Sequence, residues 1–418
     1  MKPSFVVCVS VALIATALRA AELVRAPAGR SSRPQIAAYY FGNYHVDARN
    51  VQVHGHDWTE WELVKAARPR WPGHVQPNQP LWGYTDEADP AQMAQKLDAA
   101  ADHGVDAFIF DWYYYQDGPY LQRTIDEGYL RAPNRDRVKF AFMWANHDWK
   151  DIHPKKLKET PAVLYLGAVN RSTFDTIAAH VVRDYFSVPS YWKIAGRPYF
   201  SIYHLPKLIE GMGGIEPTIA ALRSFRAATK AARFPDLHIN LVLWQRSLTW
   251  KTPEGASAEE LVTPALVTRL GFDSITSYVW IHHMTVEPFP VMPYVDAMQK
   301  MLAYIHSVSG QYTQIPYYPN ATMGWDASPR TVQSDKFENT GYPYMGTLGD
   351  NTPANFRRAL EELKAWLETR PPGQRILTIN AWNEWTEGSY LEPDTRHGLA
   401  YLEAIRTVFG VAGSSTSR

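Results

Sequence analysis

Cysteine is almost missing from this chain. Its 418 residues include one, Cys8, so the body of the protein has no thiol for nucleophilic catalysis, disulfide stapling or cysteine-ligated zinc. An excess of charge is missing too. Lys plus Arg and Asp plus Glu both number 42, and that balance gives no footprint for a nucleic-acid partner or a polybasic membrane surface. A serine elbow of the form G-x-S-x-G does not occur, and neither does H-E-x-x-H. The candidate histidine groups, His54 with His56, His147 with Asp148, and His282 with His283, lack tight ligand spacing, so no metal is expected. Gly211-Met212-Gly213-Gly214 lacks the third glycine of a dinucleotide fingerprint and does not follow the first strand, so no cofactor is expected. Internal repeats and low-complexity linkers are also lacking, which points to a single main domain.

Aromatic residues, by contrast, are abundant: 15 Trp, 24 Tyr and 16 Phe. Apolar ring faces suit the C–H faces of sugars, although a large core accounts for most such residues individually. The N-terminus, MKPSFVVCVSVALIATALRAAELV, has a basic residue, a short apolar stretch and then small residues. It reads as a signal peptide over residues 1–21, with a flexible segment over 22–34. A secreted or periplasmic protein follows as the expectation, without stable membrane insertion after cleavage. The tail over 411–418 is expected to be disordered.

Between these ends, strands and helices alternate. Strands are expected at Gln35–Phe41, Val105–Phe110, Val138–Trp144, Pro198–Tyr203, Ile239–Trp244, Ser274–Val279, Gln314–Tyr318 and Arg375–Ala381. Helices are expected at Pro90–Gly104, Pro119–Leu130, Thr173–Tyr185, Pro217–Ala232, Ala258–Leu270, Tyr294–Val308, Pro353–Thr369 and Gly398–Phe409. Eight β–α units imply a parallel sheet closed into a (β/α)8 barrel over residues 35–410, with long loops after the strands. An open doubly wound sheet is the alternative. Polar and aromatic residues collect just after the strands, where a barrel places its active site.

The densest cluster follows the last strand: Trp382-Asn383-Glu384-Trp385-Thr386-Glu387-Gly388. Carboxylates among aromatic rings are rare unless paired or used. Residues at i and i+3 share a face only on a helical turn, so Glu384 and Glu387 can address one substrate if the chain turns near Asn383. Two such carboxyls meet the needs of glycoside hydrolysis, in which one acid protonates the leaving oxygen. A capped or ion-paired surface loop is the plainer reading.

Other strand ends supply binding candidates. Asp111 and Trp112 follow the second strand, where Asp111 either contacts substrate or a catalytic Glu, or caps a helix. Asn146 and His147 follow the third, Tyr203 the fourth, Tyr278 the sixth and Tyr317 the seventh. Trp58-Thr59-Glu60-Trp61 lies in the long first loop. Glu60 and Trp61 are candidate sugar contacts, and Thr59 with Glu62 also reads as a capping box opening a helix to Ala67. Trp325, Asp326 and Arg330 share a later loop, where an Asp–Arg brace shaping the site wall is expected.

Asn383-Glu384-Trp385-Thr386-Glu387-Gly388 resembles the N-E-W-x-E-G motif of glycoside hydrolase family 99, and most closely its WbsX-like branch. Further blocks match in order: Tyr39-Tyr40, Trp58-Thr59-Glu60-Trp61, Gly73-His74 with Gln76-Pro77, Gly104-Val105-Asp106, Trp144-Ala145-Asn146 and Gly324-Trp325-Asp326 to Arg330. The resemblance implies a (β/α)8 fold and retaining hydrolysis of an α-linked, mannose-like sugar in an oligosaccharide or polysaccharide. It implies Glu384 as the base for the sugar's 2-hydroxyl and Glu387 as the general acid/base. Sugar contacts are expected from Tyr40, Glu60, Trp61, Trp325, Asn383 and Trp385 together with the strand-end residues above. Thr386 stands where family 99 carries His. A glycosyltransferase or transglycosylase of bacterial surface polysaccharide, or a non-catalytic glycan-binding barrel, is the alternative.

Overall fold

The computed structural model describes residues 33–411. The signal-peptide expectation, most of the 22–34 segment and the tail from 412 onward lie outside the described residues.

Nine parallel strand segments build a barrel. They are β1 (Gln35–Phe41), β2 (Ala107–Tyr115), β3 (Lys139–Trp144), β4 (Arg197–Ile202), β5 (His238–Val242), β6 (Ser274–Thr276), β7 (Tyr317–Tyr318), β8 (Asn320–Thr322) and β9 (Ile376–Asn380). Each of β1 to β5 pairs with the next, and β5 pairs with β6. β7 pairs with β6 while β8 pairs with β9, and β9 returns to β1. Only Pro319 separates β7 from β8. Proline has no N–H for a ladder, so it splits the seventh strand into two segments, one for each neighbour. Both faces of the strands are buried, as a parallel sheet wrapped by helices requires.

The barrel interior has a polar layer. In the β4–β5–β6 register Ser201, Asn240 and Ser274 stand side by side. Asn240 Nδ2 donates to Ser201 Oγ at 2.9 Å, and Ser274 Oγ donates to Asn240 Oδ1 at 2.7 Å. Such groups are tolerated in a core because each finds a partner.

The outer helices include α1 (Pro90–Asp102), α2 (Arg171–Asp184), α3 (Leu205–Met212), α4 (Ile215–Ala231), α5 (Pro264–Leu270), α6 (Tyr294–Gln311), α7 (Pro353–Glu368) and α8 (Ala400–Phe409). α1 starts on Asp89, whose side chain accepts from the N–H groups of Ala91 and Gln92, with Pro90 in the first turn. Asp89→Ala removes that cap and is expected to cost about 1 kcal/mol in denaturant unfolding.

Three local expectations need correction. Residues 119–130 do not form one helix. The run Trp112-Tyr113-Tyr114-Tyr115 favours strand, so β2 continues to Tyr115 and folds back antiparallel, Tyr113 opposite Tyr120, before a π-helical turn over Thr124–Tyr129. Residues 258–270 are not one helix either. Ser257–Leu261 pairs with Ser247–Lys251 as a hairpin, and α5 begins only at Pro264, capped by Thr263. The alternating exposure of SLTWK decides this, with Gly255 at φ 83° in the turn. Finally, the helix Trp61–Ala66 has Glu60, not Thr59, at its N-cap and no side-chain cap bond. The Glu62 carboxylate instead pairs with Lys65 at 2.7 Å.

Candidate active site

β9 ends at Asn380, and the motif follows as a tight reversal. Asn383–Glu384 pairs antiparallel with Ser389–Tyr390 around a 3₁₀ turn, Trp385–Glu387. Side chains three apart eclipse on such a turn, which brings Glu384 and Glu387 to one side. The turn therefore falls at Trp385 rather than at Asn383. Gly388 closes it at φ 62°, and a Cβ there would stand 2.8 Å from Asp326 Cβ, so this position needs glycine.

The rest of the motif holds this turn in place. Asn383 clamps β1, accepting from Phe41 N at 2.8 Å and donating to Phe41 O at 2.6 Å. Trp382 and Trp385 donate their indole N–H groups to the two oxygens of Glu392, at 3.0 and 2.7 Å. Lys96 of α1, fully buried, reaches Glu392 at 2.7 Å and Glu87 at 3.5 Å. This places a charged anchor behind the motif loop.

Glu384 and Glu387 face a cavity of about 650 Å³, which Asp111, His147, Tyr203, Tyr278 and Trp325 also line. The remaining candidates lie outside its lining. Tyr40 points to the outer side of β1, with Lys96 Nζ 3.4 Å from its hydroxyl. Trp61 donates to Thr85 O, and Trp112 donates to Gln122 while stacking on Phe142. Asn146 exchanges hydrogen bonds with the His204 backbone, tying two strand ends together. Tyr317 pairs with Ser277 inside the barrel, at 2.8 Å. Asn383 and Trp385 are the supports described above, and Trp385 stacks on Tyr390 at 3.8 Å.

Glu60 also lies behind the wall, and Arg330 explains why. The guanidinium donates through Nε to Glu60 Oε1 at 2.9 Å, through Nη1 to Glu387 Oε1, and approaches Glu384 Oε2 at 3.7 Å. Burial alone would push the Glu60 carboxyl up, but Arg330, His153 and Thr386 outweigh it and hold Glu60 below the usual carboxylate range. Tyr342 adds a donor to Glu387 Oε1 at 2.7 Å. Arg330 is thus the hub of three glutamates. The expected Asp326–Arg330 brace does not form, because Asp326 is taken by His74 at 2.8 Å and Gln76 at 2.7 Å.

Burial pushes Glu384 well above the usual range, with the neighbouring Glu387 adding to the shift and Arg330 opposing it. Asp111 is likewise pushed well up by burial, with Glu387 adding and its bond from Tyr278 opposing. Tyr278 hydroxyl lies 2.7 Å from Asp111 Oδ2 and 3.2 Å from Glu384 Oε1. The lining also carries groups the sequence did not single out for the site: Tyr113, Trp149, His153 and Trp244. His282 belongs to it as well, stacked on Trp244 at 4.7 Å. Burial pushes His153 down to about 4 and His282 down to about 3, so both stay neutral near pH 7. The arrangement offers two buried acids of raised pKa, Glu384 and Asp111, a third carboxyl, Glu387, in contact with a guanidinium, and aromatic rings around them. Adjacent carboxyls in unlike surroundings can divide acid and base roles between them.

Two proteins described as uncharacterized WxcX, from Xanthomonas campestris pv. campestris strains B100 and ATCC 33913, are 28% and 27% identical to this chain over 380 and 386 residues. Each alignment covers 89% of this chain and 49% of the relative, so the chain spans about half the length of these curated relatives. Among solved structures, one described as a glycoside hydrolase-like protein aligns with a TM-score of 0.59 at 14% identity, covering 92% of this chain and 96% of its own. The GH99 endo-alpha-mannosidase from Bacteroides thetaiotaomicron aligns with a TM-score of 0.55 at 15% identity, covering 90% and 96%. These likenesses bear out the barrel fold. The family model described as Glycosyltransferase WbsX matches residues 36–405, and this chain belongs to that family.

Proposed function

We propose that this protein is an exported retaining glycoside hydrolase that cleaves an α-linked, mannose-like bond in an oligosaccharide or polysaccharide. The observation that carries the reading is the pair Glu384 and Glu387, set side by side on a 3₁₀ turn on the floor of a cavity of about 650 Å³. A cavity of that size suits a small ligand, and Trp149, Trp244 and Tyr203 on its wall offer ring faces to sugar carbons. In the first step Glu384 accepts the proton of the sugar 2-hydroxyl as that oxygen attacks the anomeric carbon. Glu387 gives its proton to the departing glycosidic oxygen. In the second step water, deprotonated by Glu387, opens the anhydro ring, and Glu384 returns the proton to O2. Both glutamates end as they began, and the anomeric configuration is retained.

The test is release of reducing sugar from a panel of α-linked glycans, with the anomer of the first product read by NMR. Retained configuration is expected, and a 2-deoxy analogue is expected to give no turnover. Normal turnover of that analogue would refute the role of O2. The family's printed name supports a second reading, a transferase on the same scaffold. Sugar transfer from a nucleotide-sugar donor, without cleavage by water, would establish that reading in place of hydrolysis.

A further inference from the structure

The reaction just described leaves one buried acid on the cavity wall without a role. Asp111, midway along β2, is 6% exposed. Its Oδ2 meets the Tyr278 hydroxyl at 2.7 Å, and its Oδ1 has no hydrogen-bond partner. Arg330 acts on it only at longer range, being held by Glu60 and Glu387. The same Tyr278 hydroxyl lies 3.2 Å from Glu384 Oε1.

A phenol has one proton to donate. With both acids ionised, Tyr278 could satisfy one of them and its oxygen would face the other as lone pair against lone pair. Both contacts become hydrogen bonds when one acid is protonated and donates to the phenol oxygen. Geometry favours Asp111 as that acid. Glu384 has the Arg330 guanidinium 3.7 Å from its Oε2, which favours the anion there, whereas Asp111 has no cation so near.

We propose that Asp111 is a positioning residue that carries a proton in the free protein and donates it to the Tyr278 oxygen, so that Tyr278 donates to Glu384. This rests on the reading that Glu384 serves as base and Glu387 as acid. No bond to carbon forms or breaks at Asp111. Its proton stays on Oδ2 and the phenol keeps its own, while the proton from O2 goes to Glu384 and that of Glu387 goes to the leaving oxygen.

The groups facing this triad keep its field simple. Tyr39 and Tyr203 pack on the Tyr278 ring at 4.7 and 5.5 Å, Tyr113 stands near both acids, and Tyr44 stands near Glu384. Burial pushes all four phenols up, so they remain neutral. His282, 6.2 Å from the Tyr278 ring, is pushed down to about 3 by burial and is neutral as well. The cation facing the triad is Arg330, which acts on both Asp111 and Glu384.

The test is infrared spectroscopy of the free, full-length protein at neutral pH, in H2O and D2O. The wild type minus Asp111→Asn difference spectrum is expected to show one deuterium-sensitive protonated-carboxyl band, because the amide removes the acid but keeps a donor to Tyr278. A purely structural Asp111 would not produce that band. Loss of a carboxylate band instead would overturn the proposal. Tyr278→Phe is the second variant. It is expected to keep the protonated band and move it to higher frequency, since the acid loses its acceptor, and an unmoved band would also overturn the proposal. Hydrolysis is not part of this readout. A protein that shows the band and cleaves no glycan would refute the functional reading alone, and an active one without the band would refute only this inference.

Discussion

Glu387→Gln is expected to lower kcat on an unactivated α-linked glycan about a thousandfold, within the 10²–10⁴ range of a positioned general acid. The amide keeps the shape of the carboxyl and its carbonyl oxygen still accepts from Arg330 and Tyr342, the donors that meet Glu387 Oε1. The site is then preserved, and what is lost is a proton for the leaving oxygen. That loss depends on the leaving group. An aryl glycoside whose phenol departs as a stable anion needs no proton, so the variant is expected to recover most of the first-step rate on it. Glu384→Gln is expected to be impaired on both substrates, because it removes the base for O2 whatever leaves. Full activity of Glu387→Gln on the glycan, or equal losses on both substrates, would assign the acid elsewhere. KM is expected to change little, because the interaction is made in the transition state.

Much of this geometry was legible in the chain. β1 and β9 are short apolar runs bounded by polar residues, and the positions just after the strands are polar and aromatic, so the barrel and its rim follow from periodicity. The i, i+3 spacing of the glutamates also carries over, because a 3₁₀ turn eclipses those positions. The errors arose where two periodicities fit one segment. Residues 258–270 satisfy a helical pattern, but the turn at Gly255 pairs the first half of the segment with Ser247–Lys251. The partners of Arg330 could not be read locally. Glu60 lies 270 residues away and Glu387 lies 57, and nothing in Ser328-Pro329-Arg330 announces either. Trp385, expected as a sugar contact, is placed with Trp382 behind the cavity for a related reason. Their indole N–H groups are spent on Glu392, a residue whose use depends on buried Lys96 of α1.

Thr386 gains meaning from the same hub. It stands where the family 99 motif has His, and its hydroxyl donates to Glu60 Oε1, the oxygen that also takes Arg330. The middle residue of the motif therefore acts on the anion that holds the arginine, rather than on the cavity. Glu60, Arg330 and Thr386 form one buried unit whose outward face is Glu387, which links the first long loop to the loop after β9.

Arg330→Met tests that unit, and its effect is expected to depend on pH. Methionine fills much of the volume but leaves Glu60, Glu387 and Glu384 without their cation. Removing one partner of a buried ion pair typically costs about 3–5 kcal/mol, because a charge is left uncompensated. That loss is expected in denaturant unfolding near pH 7, where Glu60, fully buried, is ionised in the wild type. The sign follows from Glu60. In the wild type its carboxyl is held below the ordinary range, so its stabilisation is full above the unfolded value, about 4.3, and fades as the pH falls through the folded value. Without Arg330, burial acts on Glu60 with less opposition and its carboxyl rises. The folded variant then binds more protons than the unfolded chain above about pH 4.3, so its stability falls as the pH increases. The gap between the proteins is expected to be smallest near pH 4.5 and to widen toward about pH 7.5. A gap independent of pH would mean that Arg330 contributes packing rather than charge. If Arg330→Lys, which keeps the charge but not the fork that reaches two glutamates, narrowed the gap at pH 7 while leaving kcat low, the charge would be what the fold requires and the fork what positions Glu387.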